Sequence, residues 1–197
     1  FKCGFCQNWS ISQERPRLEY ISPGDLVETA KNIKGNIGIA FTYNEPSIWY
    51  EYVLETCMIG KEQGLVNVLV TNGYINPNPL EKLLPYVDAM NIDIKSFSDG
   101  YYKDICKGKL GPVKETIIES AKHCHIELTN LSVPDLNDSV EEMNNLCRWI
   151  ASIDKEIPLH IIPFRPLYKM RDLPPQTFER MILLRQTALK YLKNVVI

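Results

Sequence analysis

An α/β fold on a parallel sheet is what this chain predicts, and three observations predict it. Short apolar runs alternate with amphipathic stretches along the whole length. The runs recur roughly every 25 to 35 residues, the spacing of strand–helix–strand crossovers. Polar residues gather where the runs end, which is where parallel α/β folds bind ligands.

The elements follow in order. Gly38-Ile-Ala-Phe-Thr42 is a strand that ends at Tyr43-Asn-Glu-Pro46, and a helix from Ser47 to Gln63 is closed by Gly64. Val66-Asn-Val-Leu-Val70 is the next strand and stops at Thr71-Asn-Gly73; a short helix then covers Pro79 to Tyr86. Ala89-Met-Asn-Ile-Asp-Ile-Lys95 is strand-like, and Pro112 to His123 is a helix with proline in its first turn. His125-Ile-Glu-Leu-Thr-Asn-Leu131 is a strand stopped by Pro134. Ser139 and Glu142 form a capping-box pattern for a helix ending near Ile153, with Asn137 and Asp138 as further capping candidates. Leu159-His-Ile-Ile162 is another strand, Gln176 to Lys193 the final helix, and Asn194 to Ile197 the start of one more strand. A complete eight-unit barrel does not fit in 197 residues, whereas a partial, open barrel and a doubly wound sheet both do.

The bulk properties bound the function. With 45% hydrophobic and 23% charged residues, the chain suits one globular domain spanning 1–197. A formal net charge of -2 argues against nucleic acid or a membrane surface as partner. No apolar run is long enough to cross a bilayer, and no signal-peptide pattern opens the chain. Of six cysteines only Cys3 and Cys6 lie close together, which argues against a disulfide framework and for a reducing, cytoplasmic setting.

Several constellations carry chemistry. Cys3 and Cys6, in Cys-Gly-Phe-Cys, have the gap that lets two thiolates reach one soft metal centre; a redox pair and two incidental thiols are the other readings. Asp93 and Lys95 lie two apart on a strand, so they share a face and can grip a zwitterion. Lys95 is also a candidate imine-forming amine, and the pair a candidate structural ion pair. Glu45 is equally a ligand for an ammonium group and a charge at a helix start. Thr71-Asn-Gly73 has the composition of a turn. His160 lies in an apolar strand, where a lone histidine is ordinarily a core residue.

Taken together these strings resemble the radical S-adenosylmethionine superfamily, in the branch around pyruvate formate-lyase activating enzyme and its AmmeMemoRadiSam system relatives. The resemblance rests on Cys-Gly-Phe-Cys-Gln-Asn-Trp, Phe-Thr-Tyr-Asn-Glu-Pro, Val-Thr-Asn-Gly-Tyr, Asn-Ile-Asp-Ile-Lys-Ser-Phe, Glu-Leu-Thr-Asn-Leu, Leu-Asn-Asp, and Tyr-Lys-Met with Asp-Leu-Pro-Pro, all in order along nearly the whole chain. It implies a partial (β/α)6 TIM-like barrel whose first strand lies upstream of Phe1, so that residues 1–197 are an N-terminally truncated radical core domain. It implies a [4Fe–4S] cluster held by Cys3, Cys6 and a cysteine expected two residues before Phe1. It implies S-adenosyl-L-methionine as the second cofactor, cleaved to a 5′-deoxyadenosyl radical that abstracts hydrogen from a substrate. By position, Glu45 matches the acidic residue facing the cofactor's amino group, with Asn44 beside it where the family has a glycine pair. Thr71 and Asn72 lie by the ribose, Asp93 and Lys95 by the methionine part, Val133 near the adenine and His160 on the last strand lining the pocket. The expected partners are an unidentified substrate, a protein glycyl loop among the candidates, and an electron donor such as flavodoxin or ferredoxin. An iron-free lyase using Lys95 and a cluster-free, non-catalytic relative are the alternatives.

Overall fold

The structure, a computed structural model, describes residues 1–197. Six strands form one sheet: β1 (Gly38–Phe41), β2 (Val66–Thr71), β3 (Ala89–Asp93), β4 (His125–Ser132), β5 (Leu159–Pro163) and β6 (Val195–Val196). They lie in sequence order and every neighbouring pair is parallel. A doubly wound sheet requires the strand order to reverse at a switch point. No reversal occurs here, so the fold is the open, partial barrel.

The two faces of the sheet differ in a way that fits this choice. Leu69, Met90, Ile92, Ile126, Leu128, Leu159 and Ile161 point to one face and are buried. Val70, Asn91, Asp93, Glu127, Thr129 and His160 alternate with them and face the other side, where none is fully buried. A doubly wound sheet would cover both faces with helices and read as unbroken apolar strands.

The helices are α1 (Trp9–Ser12), α2 (Pro23–Asn32), α3 (Tyr50–Glu62), α4 (Pro77–Leu83), α5 (Asp99–Tyr101), α6 (Leu110–Ser120), α7 (Val140–Ile153) and α8 (Phe178–Ala188). None is long and apolar enough to cross a membrane. Helix α7 buries Met143, Leu146, Cys147 and Ile150, the i, i+3, i+4, i+7 stripe of an amphipathic helix. Ser139 caps it by accepting from the Glu142 N–H at 3.1 Å. Glu142 does not return to Ser139, however. Its carboxylate accepts from the Ser96 hydroxyl and, at 3.0 Å, from the Phe97 N–H, tying α7 to the segment after β3.

Several expected boundaries move. The helix expected over 47–63 is a 3-10 turn, Pro46–Trp49, followed by α3. The last helix is shorter than 176–193: it begins after Thr177, its cap, which accepts from the Arg180 N–H at 3.2 Å, and it ends at Ala188. Gln176 lies outside it and donates to Ser132 and Asp138 instead. Helix α2 was not anticipated. Its cap was present in Ser22-Pro23 with Asp25, but only Pro23, Val27 and Ala30 are buried, so its apolar stripe is too thin to show as a period.

Candidate functional site

A cavity of about 470 Å³ opens over the carboxyl ends of the strands, within the usual size of small-ligand pockets. The cysteine segment supplies Cys3, Phe5 and Cys6; the exits of β1 and β2 supply Thr42 to Glu45 and Val70 to Asn72; Asp93, Lys95, Thr129, Leu131 and Ile162 complete the walls. Eight of the residues singled out from sequence therefore converge: Cys3, Cys6, Asn44, Glu45, Thr71, Asn72, Asp93 and Lys95.

Glu45 is 8% exposed, and three protein donors converge on its carboxylate. Oε1 accepts from the Ser47 N–H at 3.1 Å and the Thr71 hydroxyl at 2.7 Å, and Oε2 accepts from the Asn72 N–H at 2.8 Å. Glu45 thus caps the 3-10 turn and also clamps the end of β2 against the end of β1. Thr71 in turn accepts from the Gly73 N–H at 3.1 Å, so one carboxylate shapes the whole Thr71–Gly73 turn. Just before it, Tyr43 and Asn44 have φ of 58° and 50°. This is left-handed backbone, which favours glycine and which Asn tolerates better than Tyr. The geometry that a glycine pair would adopt freely is kept here at a cost in strain.

Asp93 and Lys95 form an ion pair at 2.8 Å, the Lys95 side chain 13% and the Asp93 side chain 35% exposed. Burial alone would lower the Lys95 pKa, but the Asp93 carboxylate and the Cys3 sulfur more than offset it and hold the ammonium above the ordinary lysine value. Lys95 is also fixed through its backbone. Its N–H donates to the Tyr102 hydroxyl at 3.0 Å and its carbonyl accepts from Asn137 Nδ2 at 2.6 Å. Asn130 Nδ2 holds the Ile94 carbonyl at 2.8 Å. Asn137 is therefore a bridge rather than a helix cap. It also donates to the Leu131 carbonyl and accepts from the Val133 N–H, joining the β3 and β4 exits. Asp138 is likewise no cap for α7; it accepts from the Asp135 N–H and from Gln176.

Cys3 and Cys6 face the cavity from a segment anchored by Phe5, which is 4% exposed. The Lys95 ammonium lies 5.8 Å from the Phe5 ring centre, and the Tyr101 ring packs against Phe5 with centroids 6.3 Å apart. The neighbouring Cys106 thiol lowers the Cys3 pKa; burial opposes this and the Lys95 charge assists. All six cysteines are free thiols, and no three His, Cys, Asp or Glu side chains are grouped to hold a metal ion. The two sulfur donors on the cavity wall, Cys3 and Cys6, are of the soft type that fits iron–sulfur ligation. The Tyr101 hydroxyl, packed beside this segment, is buried and unpartnered, a donor of the kind that iron–sulfur sites use toward sulfur.

Val133 and His160 do not line the cavity. Val133 is fully buried beyond the end of β4. His160 points to the inner face, one alternation below Ile162, where Nε2 meets Glu127 Oε2 at 2.7 Å. The other Glu127 oxygen meets His125 at 3.3 Å. Burial would raise the Glu127 pKa, but the two histidine contacts prevail and hold it below the ordinary glutamate value. Phe5, Tyr102 and Glu127 are the shaping residues that sequence reasoning missed, and Asn137 is the one it read as a cap. Only Glu127 left a signal, its period-two alternation with Thr129.

Comparison with known proteins adds to this geometry. The family model described as Radical SAM superfamily matches residues 1–150. An uncharacterized protein of Methanocaldococcus jannaschii is 42% identical over 196 residues, 96% of this chain and 57% of that protein. The chain thus spans a little over half that relative's length. A pyruvate formate-lyase-activating enzyme of Clostridium pasteurianum is 27% identical over 217 residues, 99% of this chain and 87% of that enzyme. Among solved structures, a domain of the pyruvate-formate lyase-activating enzyme from Bacteroides vulgatus matches with a TM-score of 0.71 at 13% identity, covering 81% of this chain and 97% of that domain. At that identity the match speaks to the fold.

Proposed function

Since this chain belongs to the radical SAM superfamily, in its branch similar to pyruvate formate-lyase-activating enzyme, we propose that residues 1–197 act as one core domain that binds S-adenosylmethionine in the strand-end cavity beside a [4Fe–4S] cluster. The observation that carries this reading is the Asp93–Lys95 pair sharing one cavity with Cys3 and Cys6. When bound, the cluster would pass one electron to the sulfonium of S-adenosylmethionine, whose C–S bond would break to give methionine and a 5′-deoxyadenosyl radical for abstraction of hydrogen from a substrate.

The chain's own residues prepare that chemistry. Cys3 and Cys6 contribute thiolates. The Cys106 contact and the nearby Lys95 charge favour the ionised form of Cys3, the form that binds metal. Lys95 gives one N–H to Asp93 and keeps two for a carboxylate. Asp93 Oδ2 is engaged, and its other oxygen is free to accept from an ammonium. A zwitterionic amino acid end needs this opposed pair. Glu45 holds the Thr71–Gly73 turn in place and presents Asn72 to the cavity. An imine-forming role for Lys95 is disfavoured, since that chemistry needs a neutral amine and Asp93 stabilises the ammonium. For the substrate, similarity to the Clostridium enzyme supports a protein, with a glycyl loop as the reacting segment.

The test is anaerobic reconstitution of the intact protein with iron and sulfide, followed by S-adenosylmethionine and dithionite. Formation of 5′-deoxyadenosine, with iron and sulfide bound in near-equal amounts, is the expected outcome. A protein that takes up no iron, or that releases no 5′-deoxyadenosine once reduced, refutes the reading.

A further inference from the structure

We infer that the Tyr101 hydroxyl donates a hydrogen bond to sulfur in the centre held by Cys3 and Cys6, and thereby sets the potential at which that centre takes up its electron; the inference rests on the function proposed above.

Tyr101 and Tyr102 adjoin in the turn after β3, and their hydroxyls differ. Tyr102 is fully buried, and its hydroxyl accepts from the Lys95 N–H at 3.0 Å. Tyr101 is 6% exposed, and its hydroxyl has no hydrogen-bond partner. A buried hydroxyl left unpaired is destabilising, and phenylalanine would fill the same space without that cost. Such a group in a folded core calls for an acceptor.

The surroundings of Tyr101 single out that acceptor. Its ring packs against Phe5 with centroids 6.3 Å apart, and Phe5 stands between Cys3 and Cys6 in the chain. The same turn is fastened to the cysteine segment at two further points. The Lys2 N–H donates to the Cys106 carbonyl at 3.0 Å, and the Phe1 ring packs edge-on against Tyr102 at 5.7 Å. The Tyr101 N–H donates to the Ser98 hydroxyl at 3.3 Å, so the residue is held at its backbone as well. Burial, and after it the negative charge of Cys106, Cys3 and Glu142, pushes the phenol pKa up and keeps the group a protonated donor. Glu142 is already engaged by the Ser96 hydroxyl and the Phe97 N–H. A neutral thiol such as Cys106 accepts weakly, whereas the thiolates and sulfides of a cluster carry negative charge and accept strongly.

Reduction adds one negative charge to such a centre. A hydrogen bond to its sulfur stabilises the reduced form more than the oxidised form and so raises the potential. The low dielectric of a buried site enlarges the effect.

The test compares wild type with Tyr101→Phe in the intact protein, before and after anaerobic reconstitution with iron and sulfide. Before reconstitution the hydroxyl has no partner to lose, so the urea midpoint of the variant is expected to equal or exceed that of wild type. After reconstitution, reduction of the centre is expected to be about tenfold less favourable in the variant, a fall in midpoint potential of about 59 mV for one electron. The electron paramagnetic resonance signal of the reduced centre, followed in a redox titration, reads this shift. One exchangeable-deuteron coupling at that centre, recorded by pulsed resonance in D2O, is expected to vanish with the hydroxyl. A lowered urea midpoint in the cluster-free variant would assign the hydroxyl to a protein group or a buried water and overturn the inference. A potential and deuteron couplings unchanged by the substitution in loaded protein overturn the inference alone. Failure of wild type to take up iron overturns the proposed function, and this inference with it.

Discussion

Replacing Glu45 by Gln removes one charge and one acceptor from a carboxylate that three donors share. Thr71 Oγ1 and the Ser47 N–H converge on Oε1 at 2.7 and 3.1 Å, and the Asn72 N–H meets Oε2 at 2.8 Å. A glutamine amide can place its oxygen toward one side only. Its NH2 then faces either the Asn72 N–H or the Ser47 and Thr71 donors, and at least one donor loses its partner. A hydrogen bond to a charged group contributes about 1.5–3 kcal/mol, and an orphaned buried donor costs about 1–3 kcal/mol. Partial solvent access at Ser47 and Asn72 trims the sum, so we expect a loss of about 3 kcal/mol. For a domain of this size that corresponds to a fall in Tm of about 6–12 °C. The assay is urea unfolding of wild type, Glu45→Gln, Thr71→Val and the double variant, followed by far-UV circular dichroism. The cycle should return a coupling of about 1–2 kcal/mol, because Thr71→Val removes one of the donors competing for the remaining oxygen. A cost below about 0.5 kcal/mol for Glu45→Gln, or a coupling near zero, would show that the clamp between β1 and β2 is not what holds the turn.

Two further outcomes follow from the same structure. Tyr43→Gly should stabilise the protein by up to about 1 kcal/mol, since Tyr43 is 67% exposed and has φ of 58°, so strain is relieved with little packing lost; an unchanged or lowered urea midpoint would count against strain there. Because the Glu127 pKa is lowered in the folded state, its contribution to stability is present above the ordinary glutamate value of about 4.3 and is lost as pH falls through the lower, folded value. The stability gap between wild type and Glu127→Gln should therefore shrink as pH drops from about 6 to 3, and a gap independent of pH would sink the assignment.

Much of the fold was legible because strand and helix periods are written in neighbouring residues. The strands Gly38–Phe41, Ala89–Asp93 and Leu159–Pro163 fall where the apolar runs placed them. So does the cap at Ser139, whose hydrogen bond spans three residues. Helix α2 escaped because so few of its residues are buried. At the site, polar strand ends were enough to bring Glu45, Thr71, Asp93 and Lys95 to one cavity, since in a parallel sheet all those ends emerge together.

The sequence by itself therefore determined an alternating parallel α/β chain, the residues at each strand exit and the two-cysteine segment. Tertiary structure decided the strand order, and with it the open barrel over the doubly wound sheet. It also decided what each polar group does: that Glu45 clamps β2, that Asn137 bridges two strand exits instead of capping a helix, and that His160 pairs with Glu127 below the cavity. The reason is separation along the chain. Those partners lie 26, 42 and 33 residues apart, so no local pattern encodes them, and only the folded sheet brings them within hydrogen-bonding reach.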